Sequence, residues 1–300
     1  MGPLLQLSFW LFALFSIVLN VGAFIPLNVG VVSKQKCFIG ISDIRHSFQA
    51  KKDIVIIGGS LAGLSIALEL ATSTNDVQVT VLDSTVPAIE QSEVEFGKTN
   101  IASMAAAGML APMSERLPSG PLLDLCLDSR AMYGSWVEKV EQLAQSSTLG
   151  KKYLWNGSEH DVGYRCNGGF LAPAFAGDGV ATWAPPVEGG EAIWLDHSQI
   201  MEMENSLNPE IVGGWWFPTD ASVDARRLTC SLRAACANSG VELCFGDDYR
   251  VKGIDQSDKK NIKVLVESGI TYEPKKVICF EQSFVTSLLK GIGLNFIETK

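Results

Sequence analysis

The apolar positions of the first ordered stretch change period twice within thirty residues. Ile54 to Ile57 is an unbroken apolar run, the pattern of a short strand buried on both faces. After Gly58-Gly59-Ser60 the chain opens at Leu61 into a helical pattern, L-A-G-L-S-I-A-L-E-L-A, and then V-Q-V-T-V-L-D returns to a strand that ends on Asp83. Further on, Gly120 to Ala144 carries apolar residues at 122, 125, 132, 133, 136, 137, 140, 143 and 144, which predicts one long amphipathic helix buried on that face. Gly163 to Pro173 reads as a strand pair around a glycine turn, and Trp194-Leu195-Asp196 as the cap of a short helix containing Met201, Met203 and Leu207. Asp224 suits the N-cap of a helix whose buried face uses Leu228, Leu232, Ala235 and Cys236. Val241 to Phe245, Arg250 to Ile254, Ile262 to Glu267 and Lys276 to Phe280 then read as successive strands.

The strand–glycine turn–helix–strand at the start is a candidate dinucleotide cradle. Gly58 allows the sharp turn, Gly59 continues it, and Gly63 lets the helix pack closely on the sheet. The unpaired N–H groups of the helix start, near Leu61 and Ala62, offer a place for a diphosphate. Asp83 stands twenty residues beyond Gly63, where a carboxylate can take a pair of ribose hydroxyls, and its charge disfavours a 2′-phosphate. The middle glycine of the usual G-x-G-x-x-G is replaced by Ser60, whose Cβ crowds the approach of a diphosphate. An ordinary strand–turn–helix has the same outline.

Composition narrows the field. With 300 residues and 47% apolar content the chain can bury a sizeable core. A net charge of −9, with no Lys/Arg block in the body, leaves no footprint for nucleic acid. The N-terminus differs in kind. Leu4 to Ala23 reads as a signal-peptide core with Val21-Gly22-Ala23 as its cleavage triplet, although Met1-Gly2-Pro3 has no basic residue and the run is long enough to span a bilayer. Residues 24–50 hold Lys34, Lys36, Arg45 and three serines against one acid, Asp43, a transit-peptide composition. The junction Ala23-Phe24 resembles the cleavage site of bipartite presequences in algae with secondary plastids. The expectation is a mature protein in a plastid stroma with no membrane segment; secretion or anchoring through residues 4–23 is the alternative. Seven scattered cysteines without a C-x-x-C pair, and three separated histidines, support neither a disulfide framework nor a metal site.

Beyond the cradle, Ile101 to Met113 (I-A-S-M-A-A-A-G-M-L-A-P-M) has almost no bulk and no charge, so it can lie against a large flat group or pack tightly in a core. The strings I-V-I-I-G-G-S-L-A-G-L, V-T-V-L-D-S and A-A-A-G-M-L-A-P-M-S-E together resemble the FAD-dependent amino-acid oxidase superfamily, most closely its glycine oxidases of thiamine biosynthesis. The resemblance implies an α/β fold, a Rossmann-like FAD-binding domain interleaved with a mixed-sheet substrate domain. Its segments would be 51–115 and 223–300 for FAD and 116–222 for the substrate. It places Ala102, Ser103, Ala107, Gly108 and Met109 beside the flavin, with Leu61, Ala62, Asp83 and Ser84 as further cofactor positions and the backbone of Val251 at the adenine. It implies oxidation of a small amino acid or amine with O2 to a 2-oxo acid, ammonia and hydrogen peroxide, with FAD carrying the difficult step.

Two departures qualify the resemblance. Gln282 stands where relatives have a glycine close to the cofactor. Relatives also continue for about another third of the domain, including the arginine and tyrosine that hold the substrate carboxylate, so a truncated, inactive dinucleotide-binding relative is the competing reading, and an NAD-binding protein a third. No catalytic residue is named: Arg116, Arg130, Arg165, Arg226, Arg227 and Arg233 match no carboxylate clamp and read mostly as solvated or helix-terminal charges.

Overall fold

The computed structural model describes residues 49–73, 77–86, 102–157, 161–185, 192–255 and 261–280. The leader, the junction at Ala23-Phe24 and Gln282 lie outside the described residues. The chain divides into two compact units. One takes its described residues from Ala106–Lys139 and Asp161–Leu228, the other from Ala23–Ala105, Val140–His160 and Thr229–Lys300.

In chain order the elements are β1 (Gln49–Ile57), α1 (Leu61–Ser73), β2 (Val79–Asp83), α2 (Ala102–Ala105), β3 (Met109–Leu110), α3 (Pro121–Gln145), β4 (Phe170–Ala174), α4 (Gly179–Thr182), β5 (Ile193–Asp196), α5 (His197–Met203), β6 (Gly213–Phe217), β7 (Ala221–Ser222), α6 (Ala225–Asn238), β8 (Glu242–Phe245), β9 (Val251–Asp255), β10 (Lys263–Val266) and β11 (Thr271–Cys279). A six-stranded mixed sheet, ordered β8-β2-β1-β11-β10-β9, forms the centre of the second unit. β8, β2, β1 and β11 run parallel, and β9, β10 and β11 form an antiparallel meander. Val55 and Ile56 are fully buried, which is why Ile54 to Ile57 shows no alternation. The sheet is strongly curled. Tyr272 on β11 donates to Cys244 Sγ on β8 at 3.8 Å, though three strand spacings separate them. In a flat sheet that is about 14 Å. Burial and the Cys244 thiol beside it push the Tyr272 hydroxyl far above the usual phenol range.

The other unit carries a three-stranded antiparallel sheet, β4-β6-β5, and the short pair β3-β7. Its aromatics pack on one another: Trp215 meets Trp183 and Trp194 edge-on at centroid distances of 5.4 and 5.3 Å, and Phe217 is fully buried. All three tryptophans sit in packing contacts. Asp196 closes a capping box with Gln199 at the start of α5, while Leu207 falls beyond the helix end at Met203.

Three expectations need correction. In the first half of α3 the buried positions are Leu123, Cys126, Ser129 and Tyr133, whereas Met132 is 41% exposed. An apolar side chain is no guarantee of burial, and a stripe spaced by three and four selects its own register. Gly163 to Pro173 contains one strand, β4. Arg165 instead exchanges both backbone hydrogen bonds with Ser222, at 2.8 and 3.0 Å, so its partner is remote in sequence. Finally, α6 has no single buried face: Leu228 through Cys236 are all within 1% of full burial. Asp224 does cap it, accepting from the Arg226 and Arg227 N–H groups at 3.0 and 3.1 Å.

Candidate dinucleotide-binding site

β1 delivers the chain to the glycine turn. Gly58 adopts φ +106° and its N–H donates to Leu82 C=O at 2.8 Å, tying the turn to β2. Ser60 C=O accepts the first helical bond, from Leu64 N–H at 2.9 Å, so α1 begins immediately after the serine. Gly63 is required by packing: a Cβ there would lie 2.0 Å from Gly58 C=O, a contact between two backbones that no rotamer relieves. At Gly59 a Cβ would come within 2.5 Å of the Phe245 ring and 3.3 Å of the Asp83 carboxylate. Both glycines are thus needed by the protein before any ligand is considered.

Asp83 ends β2 beside this turn. Its Oδ2 accepts the Gly59 N–H at 2.6 Å, and its Oδ1 accepts from the Thr85 N–H at 2.8 Å and from the Thr85 hydroxyl. The carboxylate is therefore oriented by the loop it serves, with acceptor capacity left on Oδ2. Gly246 N–H donates to Asp83 C=O at 3.0 Å, which fixes the end of β8 against the end of β2. Ser84 follows, half-buried.

The N–H of Leu61, expected to face a ligand, donates to Ser103 Oγ at 3.2 Å. Helix geometry leaves Ala62 and Gly63 as first-turn donors without an intrahelical acceptor. Ser103, which meets the helix start through this bond, is buried at 6% exposure, whereas Ala102 is exposed. The remaining candidates of that stretch belong to the other unit. There Gly108, at φ +74°, exchanges with Val223: its C=O accepts the Val223 N–H at 2.9 Å, and a Cβ would lie 1.8 Å from Val223 C=O. Met109 is half-buried at the start of β3, and Ala107 is exposed. Val251 opens β9 and packs in one apolar cluster with Leu82 and Cys244, the residues that flank the ends of β2 and β8.

Two arginines read from the sequence as solvated are not. Arg233 is 1% exposed, with its guanidinium carbon 5.5 Å from the centre of the Phe245 ring. In the other unit Arg130 pairs with Asp220, whose side chain is fully buried and also accepts the Ser114 N–H at 2.7 Å. Burial raises the Asp220 carboxyl above its ordinary range, while Ser114 and Arg130 act in the opposite sense. A helix of alternating charge and leucine gives no sign of which arginine turns inward; only the carboxylate ninety residues away decides it. Among the described residues no group of acids, histidines or cysteines could hold a metal, and no helix is long and apolar enough to cross a membrane.

Residues 53–281 match the model of the family described as FAD dependent oxidoreductase. The chain belongs to this family. A bifunctional protein ThiO/ThiG from Synechocystis sp. is 36% identical over 243 residues, 80% of this chain but 31% of that protein. A glycine oxidase from Geobacillus kaustophilus is 28% identical over 251 residues, 81% of this chain and 58% of the enzyme. The crystal structure of the glycine oxidase from Geobacillus kaustophilus superposes with a TM-score of 0.62 at 23% identity, over 82% of this chain and 59% of that one, which shows the fold. The chain thus spans less than two thirds of the length of these relatives. As an FAD-dependent oxidoreductase it uses FAD, and its cradle fits that group: a turn that only glycine permits, a helix start with spare donors, and a carboxylate held at the end of the neighbouring strand.

Proposed function

We propose that the chain forms the FAD-binding part of an amino-acid or amine oxidase acting on glycine or another small amine, with O2 and water as co-reactants and a 2-oxo acid, ammonia and hydrogen peroxide as products. The reading is supported by the match to relatives named ThiO/ThiG and glycine oxidase, joined to one observation in the structure. Asp83 is locked by Gly59 N–H and Thr85 at the mouth of a glycine turn.

Each residue of the cradle has a part in holding the group. The Gly58–Gly63 turn and the start of α1 receive the diphosphate, because unpaired N–H groups and the helix dipole favour an anion there. Asp83 takes the ribose hydroxyls on the capacity left at Oδ2. Ser103 anchors the helix start by accepting the Leu61 N–H, so the turn does not have to be ordered when the ligand arrives. When bound, FAD supplies the two-electron acceptor for the amine and hands the electrons on to O2. The chain contributes binding and orientation, and no side chain need act as a nucleophile.

The full chain, purified and reconstituted with FAD, tests this by its visible spectrum and by glycine-dependent peroxide formation. A flavin spectrum with peroxide supports the oxidase. A flavin spectrum without turnover of any small amine leaves a binding module only, and a colourless protein sinks both. We also propose that residues 1–23 and 24–50 act as a signal peptide and a transit peptide directing the protein to a plastid; accumulation of a fluorescent fusion of residues 1–52 outside plastids would reject this.

A further inference from the structure

Arg233 is the residue that the cradle as described leaves without a task. It lies at the centre of the buried stretch of α6, 1% exposed, and its Nε and Nη1 are buried with no hydrogen-bond partner among the described residues. A buried guanidinium with empty donors is among the least favourable groups a core can hold. It is still a cation at neutral pH: burial pulls it down to about 10, partly offset by Cys230, Asp83 and Tyr153.

Its direction is set by the fold. Only Ser239 to Val241 separate α6 from β8, so the helix packs antiparallel to that strand and its N-terminal side faces the strand's C-terminal end. Side chains on a helix lean toward its N-terminus. Arg233 therefore runs up the helix to lie over Phe245, the last residue of β8. The same ring occupies the space that a Cβ on Gly59 would need, and Asp83 closes the other side of that glycine. Arg233, Phe245 and Gly59 thus form a continuous contact from the interior to the back of the glycine turn. Asp83 Oδ2 accepts from Gly59 and Oδ1 from Thr85, and neither Nε nor Nη1 of Arg233 donates to them.

We propose that Arg233 is the buried cation that recognises the diphosphate of the bound dinucleotide from behind the glycine turn. This rests on the FAD-binding reading above. It assigns to α6 a share in binding, and it accounts for two buried donors that no group among the described residues satisfies. It also compensates for Ser60: the charge acts through the low-dielectric interior, where a serine in the turn limits close approach of the backbone.

The test measures dissociation constants of the full chain for FAD, ADP and adenosine, together with the thermal midpoint without ligand, for the wild type, Arg233→Met and Arg233→Lys. Arg233→Met is expected to weaken FAD and ADP by about 10-fold, the loss of one charge attraction acting through the interior. Adenosine, which has no phosphate, stays as in the wild type, and Arg233→Lys recovers part of the loss. The midpoint without ligand is unchanged or higher. Unchanged FAD and ADP binding in Arg233→Met overturns the inference, as does an equal loss for all three ligands accompanied by a lower midpoint, since that is a structural role. A wild-type chain that binds none of them overturns the FAD-binding reading together with the inference. A wild type that binds beside an equally competent Arg233→Met overturns the inference alone.

Discussion

Each unit holds an arginine in its interior, and the two are solved in opposite ways. Arg130 is paired with Asp220, fully buried, which takes a second hydrogen bond from the Ser114 backbone. Arg233 rests on an aromatic face, with two donors unpaired. A closed network stabilises the unit that contains it and offers nothing to a ligand. An open one costs stability and keeps binding capacity in reserve. The contrast teaches that a buried charge is informative through its partners, not through its burial.

The largest effect should come from breaking the closed network. Asp220→Ala leaves Arg130 in the condition of Arg233, and denaturant unfolding of the full chain should show a loss of about 3–5 kcal/mol. Adding Arg130→Met to that variant should recover most of it; a double variant as unstable as the single one would mean that Asp220 acts mainly through Ser114. Gly63→Ala comes next, at about 1–3 kcal/mol, because the new Cβ meets Gly58 C=O at 2.0 Å. It should also weaken FAD binding, and an undisturbed flavin spectrum would show that the cradle tolerates a shifted α1. Asp83→Asn should cost about 1–3 kcal/mol through the Gly59 and Thr85 hydrogen bonds, read by thermal unfolding of the chain without ligand. Arg233→Met is the sharpest comparison with Asp220→Ala: it should leave stability unchanged or raise it, and a loss as large as that of Asp220→Ala would erase the distinction between the two arginines. The smallest effect concerns Cys236. Burial pushes its thiol well above the usual range, and its sulfur donates to Leu64 C=O at 3.3 Å. It should stay unlabelled by a maleimide in the native protein at neutral pH, while the exposed Cys166 reacts.

Much of the cradle was legible because its constraints are local. Gly58, Gly63 and Asp83 are needed where a strand turns into a helix and where the next strand ends, and both demands leave their mark within thirty residues. The same holds for the Asp224 cap, whose N–H donors are two and three residues away. Ser103 was legible only through the family resemblance, and its bond to Leu61 N–H crosses forty-two residues. The register of α3 was not legible, because a helix with leucines on several sides can be turned by one position without changing its pattern. The pairing of Arg165 with Ser222 was equally hidden, since nothing near Gly163 indicates a partner fifty-seven residues on.

By itself, the sequence determined the strand–turn–helix–strand of the cradle, the family, and therefore the cofactor, since these follow from backbone geometry and spacing along the chain. Tertiary structure alone decided which charges turn inward and what they meet. Arg130 and Arg233 are indistinguishable as letters on helices. One is brought to Asp220 and the other to Phe245 and the back of Gly59, because long-range packing places an acceptor beside the first and only an aromatic ring beside the second.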